Sequence, residues 1–240
     1  MQNVIEHEIA HGKKISENAE EIWGWGSKAG QLRAQRRADY FINLGKIKQD
    51  DTVLEIGCGT GIFTQKVYDS TKAHITAIDI SDDLLKQASA KMPEVTFRID
   101  DAMNLSFQEG SFNVVFGSSI LHHLDFKKSL GEIFRVMKPE GRMIFAEPNM
   151  LNPQIFIQKN VPIIIRWMGD SPDETAVVSW RMKKLLMQIG FKNVQVFPYD
   201  FLHPAIPAFC INPISAIGLF FEKVPVIKEI AGSVVIYAEK

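Results

Sequence analysis

Residues 53–61 read Val53-Leu54-Glu55-Ile56-Gly57-Cys58-Gly59-Thr60-Gly61, and the architecture follows from them. A short apolar run meets glycines at every second position, and an amphipathic segment starts at once with Ile62-Phe63 and continues through Val67-Tyr68. Glycine lacks a Cβ and tolerates positive φ, so backbone at such a turn can come close to a ligand. The helix that follows exposes unpaired N–H groups at its start. This is the loop of a nucleotide-type ligand. The dinucleotide fingerprint Gly-x-Gly-x-x-Gly has its third glycine one residue later than this chain does.

Outward from the loop, short β-branched runs alternate with helical patterns, the signature of an α/β domain with a mostly parallel sheet. The expected strands are 52–56, 74–79, 95–99, 112–117, 142–147, 193–198 and 233–239. Ser81 before Asp82-Asp83 reads as an N-cap with acids in the first turn. Leu130, Ile133, Phe134 and Met137 share one helical face, and Lys138-Pro139-Glu140-Gly141 ends that helix and turns into the next strand. Ser171-Pro172-Asp173-Glu174 is a capping box ahead of Met182, Leu185, Leu186 and Ile189, with Gly190 closing the helix. A single domain is expected over 1–240: a helical segment at 1–50, a ligand-binding core at 51–150, and a half at 151–240 with an apolar insertion at 199–232.

Net charge is -1, with 27 Lys+Arg against 28 Asp+Glu, so the chain lacks the basic footprint of general nucleic-acid binding. Two cysteines, Cys58 and Cys210, supply no disulfide framework, and no metal-ligand cluster stands out. The first residues lack a basic start followed by an apolar core, so no signal peptide and a cytoplasmic location are expected.

The run from Glu55 through Gly57, Gly59 and Gly61 resembles motif I of the class I S-adenosylmethionine-dependent methyltransferases, most broadly their ubiquinone- and menaquinone-biosynthesis type. The later motifs fall in the family's order, most closely over residues ~50 to 150, where the periodicity is clear. The resemblance implies a Rossmann-like seven-stranded sheet in the order 3-2-1-4-5-7-6 with strand 7 antiparallel, helices on both faces, and S-adenosyl-L-methionine as cofactor. It implies that Glu55 braces the loop and that Gly57, Cys58, Gly59 and Gly61 approach the cofactor. Asp79, at the end of the second strand with Ile80 after it, would accept the ribose hydroxyls, since a carboxylate has two oxygens for a vicinal diol. Asp101 and Ala102 would face the adenine, although Asp100 stands where the family usually has glycine. Gly117 and Ser118 would contribute backbone to the methionine half.

The reaction so implied is in-line displacement of a methyl group, in which positioning is the main contribution of the protein. His122 and His123 are the candidates for proton transfer, with His203 and Tyr199 behind them. Trp23-Gly24-Trp25-Gly26, leading to Arg33, Arg36 and Arg37, reads as a lid, from which an arginine could pair with the cofactor carboxylate. Phe201 to Phe221 holds no charged residue across 21 positions, yet its prolines and the strand after it argue against a transmembrane span. Together with Val161 to Trp167 it reads as the wall of a pocket for a small lipophilic acceptor, a surface for peripheral membrane contact, or a dimer interface. Monomer and homodimer both fit. The competing readings are a non-catalytic methyltransferase-like scaffold and a nicotinamide-dependent dehydrogenase.

Overall fold

The computed structural model describes residues 12, 13, 15–161 and 175–240. The seven described strands are β1 (Thr52–Ile56), β2 (His74–Asp79), β3 (Thr96–Ile99), β4 (Phe112–Ser118), β5 (Met137–Pro148), β6 (Lys192–Tyr199) and β7 (Ser233–Glu239). They form one sheet in the order β3-β2-β1-β4-β5-β7-β6. The first five run parallel, and β7 is antiparallel to both β5 and β6. This is the expected topology, and the chain reverses its direction of winding between β1 and β4. Ligands of open α/β sheets bind at such a switch point, beyond the carboxyl ends of the strands.

The helices used below are α1 (Lys28–Gly45), α2 (Ile62–Thr71), α3 (Asp82–Lys91), α4 (Phe126–Val136), α5 (Pro153–Asn160), α6 (Ser179–Ile189) and α7 (Ile211–Phe221). Strand side chains alternate between two faces, and both faces here are apolar. Val53, Val114, Phe116 and Ile144 pack with Phe41 of α1 and Phe63 and Val67 of α2. Their neighbours Leu54, Val115, Met143 and Phe145 pack with Leu130 and Ile133 of α4 and Met182 and Leu186 of α6. Continuous hydrophobic strands are therefore what a sheet covered on both sides requires.

Two local expectations are adjusted. β5 begins at Met137, because Phe112 pairs with Met137 before the register shifts, and Lys138 to Gly141 form a bulge inside the strand. Ser81 occupies the N-cap of α3, but its side chain makes no capping bond; its amide donates to Asp79 instead. Side-chain N-caps are made elsewhere, by Ser27 at α1, Asn152 at α5 and Asp125 at α4, whose carboxylate accepts from the Lys128 amide at 2.9 Å, each a contribution of about 1 kcal/mol. Gly190 closes α6 at φ +117 as expected. The capping box at 171–174 and residues 162–167 lie outside the described residues.

Candidate active site

The glycine loop is built by the end of β2. The amides of Gly57 and Cys58 both donate to the Ile78 carbonyl, at 2.8 and 3.0 Å, and the Gly59 amide donates to Asp79 Oδ2 at 2.9 Å. Such a tight path needs left-handed backbone: Gly57 and Gly59 have φ +69 and +52. A Cβ on Gly59 would lie 3.0 Å from the ring of Trp23, and one on Gly57 would lie 2.5 Å from Ile120. Behind the loop, Glu55 is buried and accepts from the Thr64 hydroxyl of α2. Burial pushes its pKa up to about 8, against the Thr64 hydrogen bond and with help from the nearby Asp79 charge. Burial likewise holds the Cys58 thiol well above its ordinary pKa, with the Glu55 and Asp79 charges adding to the shift.

Asp79 joins loop to helix. One oxygen accepts from Gly59, the other from the Ser81 amide at 2.9 Å. A carboxylate offers about four acceptor sites, and these two bonds fix its plane at the mouth of the loop. At the end of β3, Asp100 folds back on itself: it accepts from the Ser106 hydroxyl at 2.6 Å and from the Asp101 amide at 3.0 Å. Asp101 accepts from the Met103 amide at 2.8 Å and stands at the edge of the cavity.

On the far side of the switch point, Glu147 at the end of β5 is fully buried. Its Oε1 accepts from the amides of Ile120 and Leu121, at 3.0 and 2.9 Å, and its Oε2 lies 2.8 Å from His122 Nδ1. Burial alone would raise the Glu147 pKa, but the hydrogen bond and charge of His122, with the two amides, hold it below its usual value. An ionised carboxylate on Nδ1 makes that nitrogen the donor and leaves Nε2 as the basic atom of the ring. The His123 ring stacks on His122 with centroids 4.1 Å apart.

Arg37 lies inside this end of the molecule, 3% exposed. It donates to the hydroxyls of Ser118, Ser119, Tyr199 and Ser233 at 2.8 to 3.1 Å. No carboxylate among the described residues pairs with it. Its neighbours on α1 differ: Arg33 meets Asp200 at 2.6 Å, and Arg36 is bidentate to Glu222. Trp25 lies over the Arg37 guanidinium at 5.0 Å and packs edge-on against Phe63. The Ser27 hydroxyl donates to the Pro204 carbonyl at 2.7 Å. The tryptophan segment and α1 are thus tied to the chain after β6 at Asp200, Pro204 and Glu222.

Beneath the tryptophan segment is a cavity of about 440 Å³. Gly57, Cys58, Gly59, Asp79, Ile80, Asp101, Ala102, Ser118, His122 and His123 all line it, as do Trp23, Trp25 and Ile120. Glu55, Gly61 and Gly117 stand behind the wall instead. Glu55 is held by Thr64, Gly61 packs on Met92 and Ala88, and Gly117 is closed over by Phe145 and the Ile56 carbonyl. Tyr199 and His203 are not brought to the cavity. Tyr199 is buried against Arg37, and burial raises its pKa; His203 contacts Gln154, and burial with the Arg33 charge lowers its pKa. Sequence reasoning missed Glu147 as the partner of His122 and Arg37 as the hub of four hydroxyls. No local signal marks either, since each contact joins residues far apart in the chain.

A glycine cradle, an acid at the end of β2 and a second acid after β3, all on one cavity wall, suit an adenosine. Residues 53–141 match the family model described as a methyltransferase domain. Residues 53–141 are a methyltransferase domain. The chain is 33% identical over 174 residues to the 2-methyl-6-phytyl-1,4-hydroquinone methyltransferase of Synechocystis, covering 69% of this chain and 54% of that protein. It is 29% identical over 182 residues to the demethylmenaquinone methyltransferase of Lactobacillus johnsonii, covering 66% and 74%. The crystal structure of an S-adenosylmethionine-dependent methyltransferase from Archaeoglobus fulgidus superposes with TM-score 0.63 and 20% identity, over 88% of this chain and 94% of that one. The chain spans little more than half the length of some curated relatives it matches, the Synechocystis enzyme among them. Among the described residues no group of His, Cys, Asp and Glu is placed to hold a metal ion.

Proposed function

We propose that this protein transfers the methyl group of S-adenosylmethionine to a small lipophilic acceptor of the quinone, polyketide or lipid-precursor type. The observation that carries the reading is one cavity that joins the Gly57–Gly59 loop and Asp79 to His122 held on Glu147. When bound, the cofactor supplies an electrophilic methyl on a sulfonium, open to in-line displacement. Asp79 would accept the ribose hydroxyls, and Asp101 with the Ala102 backbone would hold the adenine end.

Arg37 would supply the counter-charge to the amino-acid carboxylate, through the wall formed by Ser118 and Ser119. A buried cation without an acid is costly, and an anionic ligand group relieves that cost. The tryptophan segment would act as a lid that excludes water while the reacting atoms are aligned.

His122 is the best placed base. Glu147 fixes its tautomer and steadies the ring as it gains a proton, so a hydroxyl or an acidic carbon of the acceptor can lose its proton at Nε2. The similarity to hydroquinone and demethylmenaquinone methyltransferases supports acceptors of that chemistry. A thermal shift with S-adenosylhomocysteine beside NAD tests the cofactor: stabilisation by the first alone is expected, and a ligand at 100 times its Kd adds about 2.7 kcal/mol. Acceptor-dependent formation of S-adenosylhomocysteine from a panel of hydroquinones and phenols tests turnover. Cofactor binding with no turnover on any acceptor would favour a scaffold instead.

A further inference from the structure

Exposed large apolar side chains are concentrated on one part of this molecule. Phe156 and Ile157 of α5 are exposed, and so are Phe209, Ile217, Leu219, Phe220, Val226, Ile227 and Ile230 between β6 and β7. Phe209 and Val226 are the extremes, at 84% and 80%. The two stretches are neighbours. Asn152, which caps α5, donates to the Ile230 carbonyl at 2.8 Å, and Gln154 meets His203 at 3.1 Å. Phe209, Pro213, Ile217 and Phe220 recur at helical spacing along α7 and the turn before it, while Ile211 and Gly218 face inward. A soluble monomer rarely leaves such a patch uncovered.

Charge distinguishes what covers it. The acids Asp200 and Glu222 of this segment are turned inward onto Arg33 and Arg36. What remains outside is Lys223 at the end of the apolar stripe, Lys228 beyond the Val226 tip, and Glu229 beside it. Val226 sits in left-handed backbone at φ +72, so the loop holds an apolar tip outward between two lysines. The longest apolar helix here, α7, has 11 residues, about half of what spans a bilayer. No described helix is long and apolar enough to cross one.

We infer that this face docks on the surface of an anionic phospholipid bilayer. The apolar tips enter the acyl boundary, and Lys223 and Lys228 meet the phosphates. The patch is continuous with the proposed active site: α5 carries Phe156 and Ile157 outside and Lys159 on the cavity wall. Docking would therefore place the cavity beside the layer in which a lipophilic acceptor dissolves. Only that last step rests on the proposed function.

The test is co-sedimentation of the full chain with phosphatidylcholine vesicles, with and without phosphatidylglycerol, alongside calorimetry with S-adenosylhomocysteine. Binding is expected only to the anionic vesicles. Neutralising both lysines (K223Q/K228Q) should weaken it about 30-fold, and F209S/F220S about 100-fold, with cofactor affinity unchanged in both. Absence of vesicle binding by the wild-type chain, or equal binding to neutral vesicles, overturns the inference. So does a concentration-dependent dimer that F209S/F220S abolishes, which would assign the face to a second copy. If F209S/F220S fails to fold, the lysine pair decides alone. Vesicle binding without cofactor binding would leave the docking face standing and sink the methyltransferase reading.

Discussion

His122 Nδ1 lies 2.8 Å from Oε2 of Glu147, and the other oxygen of that carboxylate holds the amides of Ile120 and Leu121. One buried acid thus sets both the tautomer of the histidine and the path of the chain that carries it. Glu147→Gln should keep S-adenosylhomocysteine affinity within about twofold and lower kcat by about 10²- to 10⁴-fold, the usual weight of general acid–base catalysis. An acceptor that is already anionic needs no base, so with it the loss should be small. Equal losses on both acceptor types would reduce Glu147 to a fold-positioning role.

Asp79 is tied to both Gly59 and Ser81. Asp79→Ala should weaken S-adenosylhomocysteine binding by about 1.5–3 kcal/mol, the range for hydrogen bonds to a charged group. The melting temperature should fall as well, because two backbone amides lose their acceptor. Calorimetry that finds unchanged affinity would remove Asp79 from the cofactor site.

Arg37 is the guanidinium of α1 without an acid among the described residues, whereas Arg33 and Arg36 are paired. Arg37→Met should weaken S-adenosylhomocysteine about tenfold or more. Methylthioadenosine, which lacks the amino-acid carboxylate, should change less than about twofold. Parallel losses for both ligands would assign Arg37 to packing alone.

Glu55 has its pKa raised to about 8 by burial, above its ordinary value of 4.5. A raised carboxyl adds stability in full below the unfolded pKa, and that stability is lost as pH rises through the folded value. The wild-type chain should therefore lose stability between pH ~4.5 and ~8 by at most about 5 kcal/mol, and Glu55→Gln should flatten this slope. Urea unfolding at pH 5 and pH 8.5 reads the difference directly.

Asp200 joins the segment after β6 to Arg33 at 2.6 Å and is 4% exposed. Asp200→Ala leaves that guanidinium without its acid, and removing one partner of a buried pair costs about 3–5 kcal/mol. Thermal unfolding of the variant should show the loss. Arg33→Met combined with Asp200→Leu, which removes both charges, should recover part of it.

The amino-acid sequence by itself determined the sheet and the ligand loop, because both are local signals. Alternating apolar runs specify strands one pair of neighbours at a time, and three glycines at alternate positions permit a backbone path closed to other residues. Local pattern also places Asp79, the last residue of β2, and Asp101, two residues past the end of β3, and both line the cavity. The bulge at 138–141 and the uncapped Ser81 were not, since the pairing of Phe112 with Met137 and the pull of Asp79 on the Ser81 amide come from other elements. Tertiary structure alone decided which of three arginines has no acid among the described residues, and that Glu147, rather than Tyr199 or His203, belongs to the histidine site. Contacts between residues 25 to 196 apart in the chain leave no periodicity behind. Their members are chosen by which side chains the folded sheet brings within about 3 Å.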